Sequence, residues 1–417
     1  MRAARLYPWL AAMLLHGALI AGPYSAGLND PANAFDAPVP GFIGPDGDGA
    51  ARLPNGSGGF TNARNFVNPI FLGWAADIAN YSPAPGVASS WANANLALGP
   101  VTGDNTNIVS LGDLSTTQIT SGVAPGTLTL HFANPIRNMS GADFVVFENA
   151  LAATGGVFAD LAYVEVSGDG VNFTRFPSAS LTSGTVGAFG TINPTNVFNL
   201  AGKHINSGGA SWGTPFDLDA VGLASVSYVR IVDIPGSGAF HDSAGRPIYD
   251  SWLTSGSGGI DIEAIGVISR SVTFDEWQDV RGLTGAARGA LVDADRDGLA
   301  NLCEYAFARV PDRIDRDPTT VEVAAGRLAL TFIRDERASD LLYEAQASND
   351  CTNWTTLAQS TAGQPTVAAN GFAPVITETS ASAIASIGVI RKVRVEDVVP
   401  VAAGARRFLR VKVTRIP

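Results

Sequence analysis

The sequence predicts a mainly β protein: a large antiparallel β-sandwich, a short helical junction and a second, smaller β domain. Three observations lead to this prediction. Hydrophobic residues make up 46% of the 417 residues, which is enough for folded cores. Glycine (46) and proline (24) are abundant, as in chains of short strands joined by tight turns. Strand-like patterns recur from residue 108 onward and are interrupted only between about 271 and 317.

The N-terminal segment 1–22 predicts a secretory signal peptide. Arg2 and Arg5 form a positive start, and an apolar run over 6–20 follows. That run is shorter than the roughly 18 to 20 residues of a membrane span. An uncleaved anchor stays the alternative, because no clean cleavage motif stands between 18 and 26. We therefore expect an exported protein, secreted or at the cell surface, with no membrane span in the mature chain.

Residues 27–270 are predicted to form the large sandwich, a domain like those that bind ligands or lie at cell surfaces. The first part, to about residue 90, is irregular and rich in turn residues. Strand patterns without any helical period follow in this order: GTLTLHFA (126–133), DFVVFEN (143–149), LAYVEVSGDGVNFTRFP (161–177), VSYVRIVDI (226–234) and GIDIEAIGVIS (259–269). Strands at this spacing indicate an antiparallel sandwich.

The pattern changes over 271–317, where we expect a helical junction. Thr273 is a candidate N-cap before apolar residues at helical spacing, and a second helix is predicted over 299–310, ended by Pro311. Residues 318–417 return to strands, which predicts a small C-terminal β domain. Its strand patterns are RLALTFIR, LLYEAQAS, NWTTLA, RKVRVEDVV and RRFLRVKVT.

The junction contains the stretch DADRDGLANLCE (293–304), whose spacing matches an EF-hand calcium loop. The six predicted ligands, at loop positions 1, 3, 5, 7, 9 and 12, are Asp293, Asp295, Asp297, Leu299 through its backbone carbonyl, Asn301 and Glu304. Gly298, at position 6, permits the sharp turn that lets the first three carboxylates converge. The sequence therefore predicts one bound Ca²⁺ with a structural role at the junction. The alternative is a solvated acidic turn before a helix.

A complete EF-hand is not expected, because the segment before the loop is rich in glycine. Gly282, Gly285 and Gly289 all fall where the entering helix would lie. The unit instead looks like the shortened calcium loops of dockerins and thrombospondin type 3 repeats. The sequence offers no partner loop, so we expect a single, weaker site, of the kind that works outside cells.

Composition and motifs exclude several other functions. The net charge is −11, and no Lys/Arg cluster follows residue 5, so we expect no nucleic-acid partner. His131, His204 and His241 lack zinc spacing, no Gly-x-Ser-x-Gly elbow stands before a helical pattern, and no glycine-rich loop is followed by the helix that phosphate binding needs. No catalytic residues are predicted, and enzymatic activity is not expected.

Two alternative functions for the large sandwich stay open. Aromatic residues in loop-like context could bind a glycan or another cell-surface ligand, or could simply close the core: Trp74, Tyr81, Trp91, Trp212 and Trp252. Glu148 follows an apolar run, which leaves a polysaccharide hydrolase or lyase as the second alternative.

Two further features are ambiguous in the sequence. A second ion site could combine Asp250, Asp261 and Glu263 with Asp233 or Asp242, the alternative being an exposed polar face of a strand. Cys303 and Cys351 could form a disulfide, as in exported proteins, or remain separate thiols.

Two resemblances complete this picture. DADRDGLANLCEYAF, LTFIR, LLYEAQASNDCTNW and RRFLRVKV, over 270–417, resemble the C-terminal module of many bacterial secreted or surface proteins. GADFVVFENAL, LAYVEVSGDGVNFTRFP, VRIVDIPGSG and SGGIDIEAIGVI, over 27–270, resemble a family of uncharacterised bacterial cell-surface proteins. The second resemblance implies a jelly-roll-like sandwich similar to carbohydrate-binding modules, and neither implies an activity.

Overall fold

A computed structural model of the protein describes residues 21–402 and 406–417. It confirms the mainly β class, with many antiparallel strands and three short α-helices among the described residues. Residues 1–20, which hold nearly all of the predicted signal peptide, lie outside the described residues. No helix in the described part of the chain is long and apolar enough to cross a membrane.

The N-terminal lobe, residues 21–270, holds seventeen strands. They are β1 (Val39–Pro40), β2 (Phe42–Ile43), β3 (Phe66–Val67), β4 (Gly73–Trp74), β5 (Asp77–Ser82), β6 (Val109–Ser110), β7 (Thr127–Arg137), β8 (Phe144–Glu148), β9 (Leu151–Ala153), β10 (Gly156–Phe158), β11 (Ala162–Ser167), β12 (Thr174–Arg175), β13 (Ala179–Ser180), β14 (Val197–Phe198), β15 (Trp212–Phe216), β16 (Ser225–Asp233) and β17 (Asp261–Val267). The longest of them coincide with the strand patterns of the sequence.

Two antiparallel sheets of this lobe enclose its core. One sheet runs β1-β15-β8-β17-β4 with β6 added on β17, and the other runs β12-β11-β16-β7-β5. Leu128 and Leu130 of β7 point inward and pack against Phe144 and Val146 of β8. Strand β8 is buried throughout, as its apolar run predicted, because it lies in the middle of its sheet.

The helical segment, residues 271–317, begins as predicted and then differs. Helix α2 (Phe274–Val280) is capped by Thr273, which forms a capping box with Glu276. Helix α3 (Asn301–Ala306) is shorter than the predicted 299–310. It ends because Ala308 adopts a left-handed conformation (φ 54°), so Pro311 is not what terminates it. A further short helix, α1 (Thr116–Thr120), lies in the N-terminal lobe and was not predicted.

The C-terminal lobe, residues 318–417, forms two four-stranded antiparallel sheets. Its strands are β18 (Thr320–Ala324), β19 (Arg327–Asp335), β20 (Leu341–Ser348), β21 (Thr355–Thr361), β22 (Val367–Ala368), β23 (Ile376–Ser380), β24 (Ile390–Pro400) and β25 (Phe408–Arg415). The sheets run β18-β19-β24-β23 and β22-β21-β20-β25. Phe332 of β19 stacks on Tyr343 of β20 between them.

The two lobes share buried contacts. Arg337, only 2% exposed, donates to both carboxylate oxygens of Asp335 (2.8 Å each). It also donates to the carbonyl oxygens of Ile70 (2.7 Å) and Ile268 (3.3 Å) in the N-terminal lobe. The helical segment joins the core of the C-terminal lobe, where Tyr305 is buried. The lobes are therefore joined by packing and hydrogen bonds as well as by the chain.

Candidate metal centre

The first three predicted ligands come together in the structure. Asp293, Asp295 and Asp297 each offer a carboxylate oxygen, and these atoms all lie within 4.8 Å of one another. Positive φ angles at Arg296 (68°) and Gly298 (100°) produce the sharp turn that this requires. Asp293 Oδ1 accepts from the backbone N–H of Arg296 (2.7 Å), and its Oδ2 accepts from that of Gly298 (3.0 Å). The turn is thus folded around the first carboxylate.

Glu304, the predicted twelfth-position ligand, is buried beside this turn. It lies on α3 and is 0% exposed, yet neither of its carboxylate oxygens has a hydrogen-bond partner among the described residues. Burial, together with the neighbouring carboxylates of Asp295 and Asp297, raises the pKa of Glu304 to about 8. A buried carboxylate facing other carboxylates calls for a compensating charge.

Asn301 is positioned for the ninth-position role. Its side chain is fully buried, and Nδ2 donates to the carbonyl oxygens of Ala287 (2.8 Å) and Gly289 (3.1 Å). Oδ1 of Asn301 has no hydrogen-bond partner among the described residues, and neither has Oδ2 of Asp295. Leu299 donates its N–H to Asp297 Oδ1 (2.7 Å), while its carbonyl oxygen accepts no hydrogen bond from any described residue.

Main-chain contacts hold this loop in place at both ends. The N–H groups of Asn301 and Leu302 donate to the carbonyls of Val292 (2.7 Å) and Ala290 (3.2 Å). A single 3-10 turn, Gly285–Ala287, stands where an EF-hand has its entering helix. At the other side, the N–H of Asp315 donates to Asp297 Oδ2 (2.7 Å). The loop is thereby attached to the strand-free segment that leads into the C-terminal lobe.

The donor set fits a hard divalent cation. The atoms left without partners are carboxylate, amide and carbonyl oxygens, which are the ligands that Ca²⁺ takes in proteins. Among the described acids, histidines and cysteines, only Asp293, Asp295 and Asp297 bring three ligand atoms so close together. No described arginine or lysine forms an ion pair with Glu304, and Arg309 lies 4.0 Å from Asp315. An ion bound here would satisfy oxygens that the protein leaves unpaired.

No two of the five predicted aromatic residues stack on each other in the described structure. Trp212 is 6% exposed and is therefore a core residue. Trp74 packs on Phe71 at 4.7 Å between ring centroids, and Trp252 donates its Nε1–H to the carbonyl of Leu114 (3.0 Å). The half-buried placement of Trp74 and Trp252 fits residues that close the core beneath loops.

The acids of β17 do not form the exposed polar face that the sequence analysis gave as the alternative to a second ion site. Asp261 (4% exposed) and Glu263 (2%) are both buried, so that interpretation is wrong. A register shift between Ile262 and Ala264 interrupts the alternation of β17, and both faces of the strand are covered. Glu263 accepts from the N–H groups of Thr102 (2.7 Å) and Gly103 (2.8 Å), which gives it a structural role.

Three other predicted candidates are placed as follows. Asp242 pairs with Arg246 at 2.7 Å and is not part of any acid cluster. Glu148 is 3% exposed and its Oε2 accepts from the backbone N–H of Ala150 (2.8 Å), so its carboxylate is buried in this structure. Cys303 and Cys351 are both free thiols, so the disulfide does not form.

Comparison with known proteins adds no family to this description. No protein-family profile matches the chain, and a search of curated proteins finds no match. The resemblances to bacterial surface proteins and to thrombospondin type 3 loops therefore stay predictions, carried by the residues that suggest them.

Proposed function

We propose that this chain is an exported surface or secreted protein that binds one Ca²⁺ through the loop 293–304. The ion has a structural role. Asp293, Asp295 and Asp297 supply one carboxylate oxygen each, and Glu304 supplies one or both of its own. The carbonyl of Leu299 and the side chain of Asn301 complete the set, directly or through water.

The observation that carries this proposal is the buried, unpaired carboxylate of Glu304. An unsatisfied buried polar atom costs about 1–3 kcal/mol, and more when it is charged. Both Glu304 oxygens, Asp295 Oδ2 and Asn301 Oδ1 are in this condition within one short segment. Proteins rarely concentrate such atoms without a ligand, and oxygen atoms at EF-hand spacing select calcium.

The expected consequence of binding is a braced junction between the two lobes. Glu304 precedes Tyr305, whose hydroxyl donates within the C-terminal core to the carbonyl of Val272 (2.6 Å). Asp297 is bonded to Asp315, and between them Arg313 stacks on Phe66 of the N-terminal lobe at 3.2 Å from the ring centroid. Order in the loop is therefore coupled to contacts with both lobes.

Tryptic cleavage after Arg296 tests the proposal directly. Arg296 is exposed and lies inside the loop, so cleavage there reports whether the loop opens. We expect fast cleavage in EDTA and at least tenfold slower cleavage in millimolar Ca²⁺. Millimolar Mg²⁺ should protect less, because it demands a smaller octahedral site.

The matched control is the double variant Asp293→Ala with Glu304→Ala, which should be cleaved at the same rapid rate with and without Ca²⁺. Arg64, exposed in the N-terminal lobe and paired with Asp46, is an internal reference site whose cleavage should not respond. A wild-type cleavage rate at Arg296 that ignores calcium would contradict the proposal. Localisation is tested separately, by fractionating cells that express the full chain.

A further inference from the structure

Five buried acids lie near one another at one end of the N-terminal sandwich, outside the 293–304 loop. They belong to Glu148 (3% exposed), Asp160 (9%), Asp233 (0%), Asp250 (1%) and Asp261 (4%), here called the buried acid cluster. Glu148 ends β8 and Asp261 begins β17, in one sheet. Asp233 ends β16 and faces Ala162 of β11, in the other sheet. The cluster therefore joins the two sheets at the same edge.

The members of the cluster act on one another. Burial raises the pKa of Asp160 well above its usual range, and the carboxylates of Asp250, Glu148, Asp261 and Asp233 raise it further. For Glu148, burial comes first again, followed by Asp261. No described lysine, arginine or histidine is among the main causes of the pKa shift of any member of the buried acid cluster.

Lys203, a base that follows a residue beside the cluster, is already engaged elsewhere. Lys203 follows Gly202, whose Cα faces Glu148 closely enough that an added Cβ would lie 3.5 Å from Oε2. The ammonium group of Lys203, however, donates to Asp36 (2.5 Å) and to the carbonyl of Val197 (2.6 Å). Lys203 thus belongs to a different ion pair, and no salt bridge among the described residues involves a member of the buried acid cluster.

Unpaired oxygens separate this cluster from an ordinary hydrogen-bonded network. The carboxylate of Asp160 accepts no hydrogen bond from any described residue, although nine-tenths of the residue is buried. Oδ2 of Asp233 is also buried without a partner, while its Oδ1 accepts from the N–H of Ile260 (2.9 Å). Oδ2 of Asp250, by contrast, accepts a hydrogen bond from the N–H of Leu161 (2.8 Å). The free oxygens of Asp160 and Asp233 are available to a ligand.

We propose that the buried acid cluster is a second Ca²⁺ site, which clamps the two sheets and the 234–260 loop together. Asp160 is the central ligand of this site. Because it is the most exposed member of the cluster, the ion enters from solvent beside it. No three of these acids place ligand atoms within 4.8 Å of one another. Waters and a rotation of side chains therefore complete the shell, which suits Ca²⁺ because its six to eight ligands adopt flexible geometry.

Calcium counting tests this site independently of the 293–304 loop. Each protein is stripped with EDTA, dialysed to equilibrium against about 5 mM CaCl₂ in mildly alkaline buffer, and analysed for metal by atomic emission. Three variants are compared with the wild type: the loop variant Asp293→Asn with Glu304→Gln, the cluster variant Asp160→Asn with Asp250→Asn, and the control Asp143→Asn. Asp143 is a buried acid at the opposite end of β8, outside the cluster.

We expect two ions in the wild type and in the control, one in the loop variant and one in the cluster variant. A wild type with one ion, lost only in the loop variant, would overturn the second site and leave the first intact. One ion lost only in the cluster variant would support the second site and refute the first. If the cluster variant does not fold, as judged by circular dichroism, the loop variant decides, because a count of zero there refutes the cluster site.

The cluster variant should also differ from the wild type in melting temperature when no metal is present. Asparagine keeps the acceptor that Leu161 needs and removes negative charge from a crowded, buried place. In EDTA its melting temperature should therefore exceed that of the wild type, and its calcium response should be smaller. A variant that melts lower in EDTA would show that these acids stabilise the apo fold and would contradict the proposal.

Discussion

Replacing Glu304 with glutamine is expected to reverse the order of stability of variant and wild type when calcium is added. Glu304 is fully buried and its two oxygens lack partners, beside three aspartates whose ligand atoms lie within 4.8 Å of one another. Glutamine keeps the shape of the side chain and removes one negative charge. Without calcium the variant should be at least as stable as the wild type, because like charges in one buried place repel.

The magnitude with calcium follows from mass action. A single shortened loop belongs to the class with dissociation constants of about 10⁻⁴ to 10⁻³ M. At about 10 mM Ca²⁺, binding then adds about 1.4–2.7 kcal/mol to the free energy of unfolding. Losing the two-oxygen ligand should weaken binding at least tenfold, which removes about 1 kcal/mol of that gain or more.

Urea denaturation in EDTA and in calcium measures both effects. Trp277 is a suitable fluorescent probe, because its ring lies 5.6 Å from that of Tyr305, the residue after Glu304. The charge-matched control is Glu322→Gln, an exposed position on β18 that should leave the calcium response unchanged. If the wild type unfolds at the same urea concentration in both buffers, the reasoning about the loop is wrong.

Three further predictions concern the rest of the molecule. Arg337→Ala should lower the free energy of unfolding, measured by urea denaturation, by about 3–5 kcal/mol, because it leaves the buried carboxylate of Asp335 and the carbonyls of Ile70 and Ile268 without their donor. An unchanged midpoint would count against the role of Arg337 in joining the lobes. Burial raises the pKa of Asp143 to about 7, so this carboxyl group binds its proton more tightly in the folded state than in the unfolded state. Its contribution to the free energy of unfolding is therefore complete below about pH 4 and falls by up to about 4 kcal/mol as the pH rises to 7. Asp143→Asn should flatten this part of the pH profile of unfolding, and a profile of unchanged slope would exclude Asp143 as its source. Native protein should offer the exposed thiol of Cys351 to an alkylating reagent faster than half-buried Cys303, with two thiols counted after denaturation; a count of zero without reductant would mean that a disulfide forms after all.

Local patterns predicted the elements whose causes are local. The capping box of Thr273 and Glu276 lies within four residues, so helix α2 began where the sequence indicated. Long strands such as β7 and β16 followed from alternation of residue types. Helix α3 was overpredicted, because its early end depends on the left-handed conformation of Ala308, which no residue type in that stretch requires.

The sequence by itself determined the mainly β class and the position of the candidate calcium loop, because all the ligands of that loop fall within twelve residues and their spacing is their geometry. Tertiary structure alone decided the burial of Glu304, the covering of both faces of β17 and the connection of the lobes through Arg337. It also decided the membership of the buried acid cluster: the sequence had suggested Asp233, Asp250 and Asp261, whereas Glu148 and Asp160 join them only because strands from two sheets end at one edge. Burial and long-range pairing depend on how sheets stack, and residues distant in the chain carry no spacing that records it.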